Sequence, residues 1–304
     1  MPLQSKATNL FVVCQDDALV LQIDTRTSQV TRSVTVPAGP AMITESPDHK
    51  ALYVTHPENR MITKIDAATL SVAVVMPLEG MPFSAVTDQS GQFLYVSDWN
   101  GDRIVRLDAG SGKFAGQAAA GRSPAGLVLE HRGNRLYAAN RESNSITVID
   151  KNSMQRISEI RAGEAPFALA ISSDDRILVA ANVRSGDASI IETATLKPLA
   201  RIRIGGAPYG AAIAAANGSA AVSEQHGETV SLIDMTAQAV SAVIRVGRYP
   251  ETVVIGQGSA YVANWFSSDI SVIDLQLQKE TARIKVCNGP RGMVLAGEES
   301  ARAR

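Results

Sequence analysis

Short apolar stretches alternate with polar turns along the whole chain, and this pattern recurs at a fixed interval. Seven segments of equal length align, and they end in acidic residues at Asp24, Asp66, Asp108, Asp150, Glu192, Asp234 and Asp274. The interval is therefore 42 residues five times and then 40. Self-similarity at an interval of roughly 20–50 residues is typical of solenoids and propellers.

A proline that closes a short turn recurs in phase with these segments, at Pro40, Pro82, Pro124, Pro166, Pro208, Pro250 and Pro290. Each unit contains an apolar run after the proline, a second strand such as LYVS, an alternating strand such as SITVID, and a last strand. These are four short strands without helical periodicity. About 42 residues for four antiparallel strands is the blade period of a β-propeller, so we predict an all-β fold.

The two ends of the chain complement each other. Residues 9–36 contain only the second, third and fourth strands of a unit, and GMVLAG after Pro290 supplies a lone first strand. Pairing them closes the ring and removes the unpaired terminal edges. We predict one seven-bladed domain, with a composite blade from about 9–36 plus 290–297. Six whole blades start near residues 40, 82, 124, 166, 208 and 250, and a flexible tail covers 298–304.

The segments LYVT, LYVS, LYAAN and AYVAN, with their proline turns, resemble the YVTN-repeat β-propeller family. The resemblance extends over nearly the whole chain and implies the seven-bladed fold. It leaves function open, because propellers of this kind include binding proteins, electron-transfer or cofactor-bearing modules, and lyase-type or lactonase-type enzymes.

Charge and composition limit the kinds of partner that we expect the protein to bind. The formal net charge is -1 and the pI about 6.4, so no overall field attracts nucleic acid or an anionic membrane, and we expect neither partner. The beginning, MPLQSKATNLFVVC, has no apolar segment of the signal-peptide kind. The sequence as written predicts a cytoplasmic protein; a removed signal peptide would instead make it periplasmic or secreted.

Two repeating features have simple structural interpretations. The acidic residue that ends each segment is expected to accept backbone N–H groups in the following hairpin. The basic side chains at Arg161, Arg203, Arg245 and Lys285 recur at one position of the fourth strand, where charge on an outer edge discourages edge-to-edge pairing.

Candidate functional residues are sought where the repeats differ. In a four-stranded blade, the loop between strands two and three lies on the same face as the turn into the next blade, so both sets of loops surround one mouth of the channel. The last residue of the YVTN-type motif begins that loop, and around the ring it reads Cys14, His56, Asp98, Asn140, Asn182, Glu224 and Asn264. With the ring closed, the departures from Asn lie along one arc from Glu224 to Asp98.

Aromatic and charged residues flank this arc. Trp99 and Trp265, the two tryptophans of the chain, each follow the motif directly. We predict a ligand-binding set of Cys14, His56, Trp99, Arg141, Tyr249, Trp265, Phe266 and Arg291. Aromatic side chains at a concave mouth suit a small molecule, a peptide or a partner protein. In the alternative interpretation the aromatics only pack loops together, and charges such as Glu251 and Arg291 form a surface ion pair.

A catalytic role is the second hypothesis. His56, His226, Glu224 and Asp98 offer general acid–base groups and ligands for a divalent metal, as a metal-assisted lyase or hydrolase requires. No compact ligand motif such as HExxH or CxxC is present, so we assign no set of metal ligands and prefer the binding hypothesis.

The two cysteines, Cys14 and Cys287, leave two readings open. Cys14 is a candidate nucleophile with His56 as its base. A Cys14–Cys287 disulfide would instead staple the composite blade, provided that the two Cα atoms lie within about 7 Å.

Overall fold

The repeated apolar segments fold as antiparallel strands in a computed structural model that describes residues 9–214 and 218–296. The chain begins with β1 (Asn9–Cys14), β2 (Leu19–Asp24) and β3 (Gln29–Thr35). Blade 1 consists of β4 (Ile43–Glu45), β5 (Ala51–His56), β6 (Met61–Asp66) and β7 (Ser71–Pro77). Blade 2 consists of β8 (Pro82–Thr87), β9 (Phe93–Asp98), β10 (Arg103–Asp108) and β11 (Phe114–Ala119).

The remaining blades repeat this order. Blade 3 consists of β12 (Pro124–Leu129), β13 (Arg135–Asn140), β14 (Ser145–Asp150) and β15 (Gln155–Arg161). Blade 4 consists of β16 (Pro166–Ile171), β17 (Ile177–Asn182), β18 (Asp187–Glu192) and β19 (Lys197–Arg203). Blade 5 consists of β20 (Pro208–Ile213), β21 (Ser219–Glu224), β22 (Thr229–Asp234) and β23 (Ala239–Arg245). Blade 6 consists of β24 (Pro250–Gly256), β25 (Ser259–Asn264), β26 (Asp269–Asp274) and β27 (Lys279–Lys285), with a 3-10 helix at Trp265–Ser267.

The last strand, β28 (Pro290–Ala296), closes the ring. It pairs antiparallel with β1, with Leu10 opposite Leu295 and Phe11 opposite Val294, so the sheet order is β28, β1, β2, β3. The predicted all-β fold of seven four-stranded blades, one of them joining the two ends of the chain, is confirmed. The predicted tail at 298–304 lies outside the described residues.

The hydrophobic core lies between consecutive blades. One cluster, for example, joins Tyr53 and Ile62 of blade 1 to Leu94 and Val96 of blade 2. The second strand is buried on both faces because each of its faces packs on a neighbouring blade; in β5 all six residues are buried. The fourth strand of each blade is mostly exposed, and the repeated basic residues stand on it as predicted: Arg161, Arg203, Arg245 and Lys285.

The acidic residues that end the third strands organise the hairpins on the face opposite the YVTN-type loops. Asp66 accepts the backbone N–H of Thr69 at 2.7 Å, and Asp108 accepts that of Ser111 at the same distance. This confirms the predicted turn role for the aspartates. Glu192 differs, because it accepts the hydroxyl of Thr195 at 2.6 Å. Among the described residues no helix has the length and apolar character needed to cross a bilayer.

Candidate functional site

A cavity of about 640 Å³ opens at the mouth of the channel, on the face that carries the YVTN-type loops; we call it the mouth cavity. Its walls come from both predicted sets of loops, so these do converge on one mouth. The lining residues are Gln15, Gly39, Pro57, Glu58, Met81, Phe83, Trp99, Arg141, Phe167, Val183, Ala207, Tyr209, Gln225, His226, Tyr249 and Arg291.

The residue directly after the motif supplies much of this wall. In six blades this residue lines the cavity: Gln15, Pro57, Trp99, Arg141, Val183 and Gln225. Successive side chains of a strand point to opposite sides, so the motif position itself, the last residue of the second strand, points away from the cavity. Of the predicted ligand-binding residues, Cys14 and His56 stand at the motif position and do not line the cavity, whereas Trp99 and Arg141 follow it and do.

The motif side chains instead hold the closing turn, which we define as the segment that leads into the blade and ends at the repeated proline. In blade 3, Asn140 Oδ1 accepts the backbone N–H of Gly121 at 3.0 Å, and its Nδ2 donates to Thr147 at 2.8 Å. The contact is close: a Cβ added to Gly121 would lie 2.7 Å from Asn140 Cγ. The same tight approach recurs between Asn182 and Gly163, with 2.6 Å to Cγ.

Three of the four catalytic candidates, His56, Asp98 and Glu224, share this structural role. His56 is 0% exposed, with Nε2 2.9 Å from the hydroxyl of Thr63, and burial lowers its pKa. Asp98 is 1% exposed and accepts hydrogen bonds from Arg103 Nε at 2.8 Å and from the backbone N–H of Met81 at 2.8 Å.

Glu224 is also turned into its own blade. It accepts the backbone N–H of Gly206 at 2.6 Å and the Thr229 hydroxyl at 2.9 Å. Of the four catalytic candidates only His226, which is exposed, lines the mouth cavity. Within residues 9–214 and 218–296 no three His, Cys, Asp or Glu side chains are grouped closely enough to hold a metal ion. The structure thus does not bring the four candidates together.

Cys14 forms a disulfide with Cys287, and the two Cα atoms are 5.9 Å apart. Its side chain is 0% exposed and has no place in the cavity wall. A sulfur held in a disulfide offers no thiolate, so the nucleophile hypothesis for Cys14 does not fit this structure. Of the two interpretations that the sequence left open, the structure shows the disulfide that joins the two ends of the composite blade.

One further repeated position, the residue directly after the proline, supplies four residues of the floor of the mouth cavity, namely Phe83, Phe167, Tyr209 and Arg291; we call it the ring position. Around the channel it reads Ala41, Phe83, Ala125, Phe167, Tyr209, Glu251 and Arg291. Phe83 and Phe167 meet edge to face with ring centres 5.3 Å apart, and Phe167 and Tyr209 lie 4.1 Å apart. These three side chains also line a deeper cavity of about 190 Å³, so they separate the mouth from the rest of the channel.

Arg291 crosses the channel from the composite blade. Its Nη2 donates to the hydroxyl of Tyr209 in blade 5 at 3.0 Å, and its Nη1 donates to Gln15 Oε1 at 2.8 Å. The guanidinium carbon lies 5.5 Å from the ring centre of Phe83 and 5.3 Å from that of Trp265. Cation–π contacts of this kind are strongest where water is excluded, as on this floor.

Glu251, from the adjacent blade, is the counter-ion of Arg291. Its Oε2 lies 3.1 Å from Arg291 Nε, and its Oε1 accepts from Gln225 Nε2 at 3.2 Å. The pair does not lie on the surface, as one interpretation of the sequence had it: the side chain of Glu251 is 2% exposed and that of Arg291 14%. Burial raises the pKa of Glu251 to about 7, although the charge of Arg291 opposes this shift. Burial also raises the pKa of Tyr209.

The rim combines aromatic and charged groups. The Trp99 ring centre lies 5.1 Å from that of Phe83 and 6.0 Å from the guanidinium carbon of Arg141. Arg141 pairs with Glu142, which also accepts two hydrogen bonds from Arg184 at 2.7 and 2.9 Å. Two guanidinium groups therefore share one carboxylate, which leaves this part of the rim positive.

The aromatic residues of blade 6 lie at the opposite side of the mouth. Tyr249 lines the cavity with a backbone φ of 58°, a left-handed conformation that is uncommon for a bulky residue. Its ring centre lies 4.9 Å from that of Phe266, which is 60% exposed, and 6.4 Å from that of Trp265. Four of the eight predicted ligand-binding residues line the cavity: Trp99, Arg141, Tyr249 and Arg291.

Sequence reasoning undervalued the ring position. Phe83, Phe167, Tyr209 and Glu251 all stand there, next to the proline that marks every repeat. Across the seven repeats this position holds two alanines, three aromatic residues and two charged residues. Such variation at a fixed structural position is the signal of a site.

Comparisons with known proteins support the fold. A family model described as "Lactonase, 7-bladed beta-propeller" matches residues 109–201, which is less than half of the chain. No curated protein matches the sequence. The chain is similar in structure to hydrazine synthase from Kuenenia stuttgartiensis, with a TM-score of 0.76 at 20% identity over 83% of this chain and 88% of that one.

Two further solved structures resemble this one. A functionally unknown protein from Desulfotomaculum acetoxidans has a TM-score of 0.83 at 12% identity, over 95% of this chain and 98% of that one. Apo AztD from Citrobacter koseri has a TM-score of 0.70 at 14% identity, over 96% and 98%. Identities at this level establish the shared propeller fold alone.

Proposed function

We propose that this protein is a binding propeller that holds a small organic molecule in the mouth cavity. The observation that carries the proposal is the cavity itself: about 640 Å³, with aromatic side chains in its walls and a mostly buried arginine in its floor. Ligand pockets in proteins are concave, mostly apolar and supplied with a few fixed polar groups, within a volume of roughly 300–1,000 Å³. We also propose that the repeats belong with the YVTN-repeat propellers.

Because the floor is closed, we expect a ligand to bind in the cavity and not to pass through the channel. Phe83, Phe167 and Tyr209 stand between the mouth and the deeper cavity, and all three pack on one another or on their neighbours. A planar molecule can stack on these rings and on Trp99 while water is displaced from the apolar wall.

A binding role also fits the residues better than a lactonase-type activity. The segment matched by the lactonase family model contributes only Arg141, Phe167 and Val183 to the lining of the mouth cavity. None of these is a nucleophile or an ordinary general base. The match is therefore most simply explained by the shared blade architecture.

The disulfide bears on the compartment. Disulfides form and persist in oxidising environments and are rare in the cytosol. We therefore favour the periplasmic or secreted alternative over the cytoplasmic one.

The binding role is tested by titrating the protein with 2-naphthamide, a neutral planar probe, under isothermal titration calorimetry. We expect one site, with Trp99→Ala weakening the affinity about tenfold because a stacking surface is lost. Phe114→Ala is the matched control, since Phe114 is 65% exposed on an outer strand. If neither 2-naphthamide nor 2-naphthoate binds at millimolar concentration, or if both variants weaken binding equally, the proposal is overturned.

A further inference from the structure

The floor of the mouth cavity holds an arginine whose hydrogen-bonding capacity is only partly used. A guanidinium carries five N–H groups. Two of them are donated to Gln15 and Tyr209, and the Nε faces Glu251 Oε2 at 3.1 Å. Among the described residues neither that Nε nor that Oε2 has an aligned hydrogen-bond partner. The ion pair is close but poorly directed, so its two partners are open to exchange.

The surroundings of Arg291 select for flat ligands. Its guanidinium lies within 5.5 Å of the Phe83 ring centre and 5.3 Å of the Trp265 ring centre, so the cation is flanked by aromatic faces. A carboxylate that pairs with this guanidinium would bring its own apolar body against the same rings and against Trp99. A planar aromatic carboxylate satisfies both requirements.

A second anion beside Arg291 changes the protonation of Glu251. Two carboxylates on one guanidinium in a water-poor site repel each other, and such a pair keeps one proton. The titratable and charged groups around Glu251 are Arg291 and Tyr209, with Tyr249 next to Tyr209. Burial raises the pKa of Glu251 to about 7, so this carboxyl group titrates near neutral pH.

We propose that the mouth cavity binds a planar aromatic carboxylate, that the ligand replaces Glu251 as the counter-ion of Arg291, and that Glu251 takes up one proton from solvent as it does so. This inference rests on the proposed binding function and adds the class of ligand and its coupling to protons. Charge balance on the floor is kept, because one carboxylate arrives and another is neutralised.

The first test compares 2-naphthoate with 2-naphthamide, which have the same ring system and differ in charge. We expect the carboxylate to bind at least tenfold more tightly at pH 6, as a charge-assisted pair provides. The Arg291→Met/Glu251→Gln double variant should lose this preference; it removes both charges, so that no unpaired carboxylate is left buried. Equal affinities for the two probes in the wild-type protein would overturn the inference while leaving the proposed function intact.

The second test measures protons. With a pKa near 7 for Glu251, the affinity for 2-naphthoate should be about tenfold weaker at pH 8 than at pH 6. Titrations at pH 8 in two buffers of different ionisation enthalpy should show the uptake of nearly one proton. The Glu251→Gln variant should bind at pH 8 as tightly as the wild type does at pH 6, without proton uptake.

Two control variants separate this mechanism from other charges at the mouth. His226→Gln should leave the pH dependence in place, because the pair of Glu251 and Arg291 is intact in this variant. Arg141→Gln should keep more of the preference for the carboxylate than the Arg291→Met/Glu251→Gln variant does, because Arg141 lies on the rim and shares Glu142 with Arg184, whereas Arg291 lies on the floor. Loss of the pH dependence in the first variant, or of the preference in the second, would overturn the assignment to Glu251 and Arg291.

Discussion

Cys14 and Cys287 are joined across 273 residues of sequence at the point where other blades press a motif side chain against a glycine of the closing turn. In blade 3 the corresponding residues are Asn140 and Gly121, which touch without a covalent bond. The composite blade is assembled from the two ends of the chain, so its pairing has the largest closure entropy to overcome. The disulfide stands where that cost is highest.

Reduction of this disulfide should destabilise the fold. A cross-link that closes so long a loop stabilises by about 3–5 kcal/mol, which corresponds to a fall of roughly 5–10 °C in Tm when it is removed. Thermal unfolding followed by circular dichroism with and without reductant measures this. The Cys14→Ser/Cys287→Ser variant should melt at the reduced temperature and not respond to reductant; an unchanged Tm on complete reduction would contradict the prediction.

The equivalent positions of the other blades suggest a replacement. Cys14→Asn together with Cys287→Gly and Leu21→Thr recreates the set seen at Asn140, Gly121 and Thr147. This variant should recover about 1 kcal/mol relative to the double serine variant carrying the same Leu21→Thr change, because the amide again caps a backbone N–H of the closing turn. Denaturant unfolding of the two variants side by side gives the difference. A variant no more stable than the double serine would show that the closing turns are not interchangeable.

The glycine of the closing turn should tolerate no side chain. In Gly121→Ala the new Cβ would lie 2.7 Å from Asn140 Cγ, so either the asparagine or the turn must move. We expect a loss of about 1–3 kcal/mol, as for other overpacked sites. Gly110→Ala is the control, because its Cβ would lie 3.4 Å from the nearest atom, Asp108 Oδ1. Similar unfolding free energies for the two variants would refute the account.

The free energy of unfolding should fall as pH rises through the range governed by Glu251. Its ordinary pKa of 4.5 is raised to about 7 in the folded protein, so between these values the folded state binds more protons than the unfolded state. Stability from this group is complete below pH 4.5 and is lost as pH rises toward 7. Subtracting the unfolding curves of Glu251→Gln from those of the wild type, measured from pH 4 to 8, isolates this contribution. A flat difference would contradict it.

The fold was predictable because every blade repeats the same apolar segments and turn residues. The acidic residue at Asp66 or Asp108 and the proline that follows fix the strand order, and the missing first strand at one end identifies its partner at the other. These features depend on local turn chemistry and on the alternation of apolar and polar residues along a strand, and both can be recognised in a single sequence.

The site was predicted less well, for reasons of direction and distance. A shift of one residue along a strand reverses the side chain, so Asp98 faces its own blade while Trp99 faces the cavity. How deeply the side chains at the ring position are buried depends on how closely they approach one another across the channel. The spacing of residues in the sequence does not give this distance. Glu251 and Arg291 therefore resembled a surface pair, although they meet inside the ring.

The ring position gives this pocket an unusual freedom to evolve. Each blade contributes one residue there, and the cluster around Phe83, Ala125 and Phe167 is separate from the clusters that join the blades. Ala125 packs in this cluster between Phe83 and Phe167, so a larger side chain there would change the floor. Substitutions at the ring position can therefore change which ligand the pocket binds while the packing between the blades is kept.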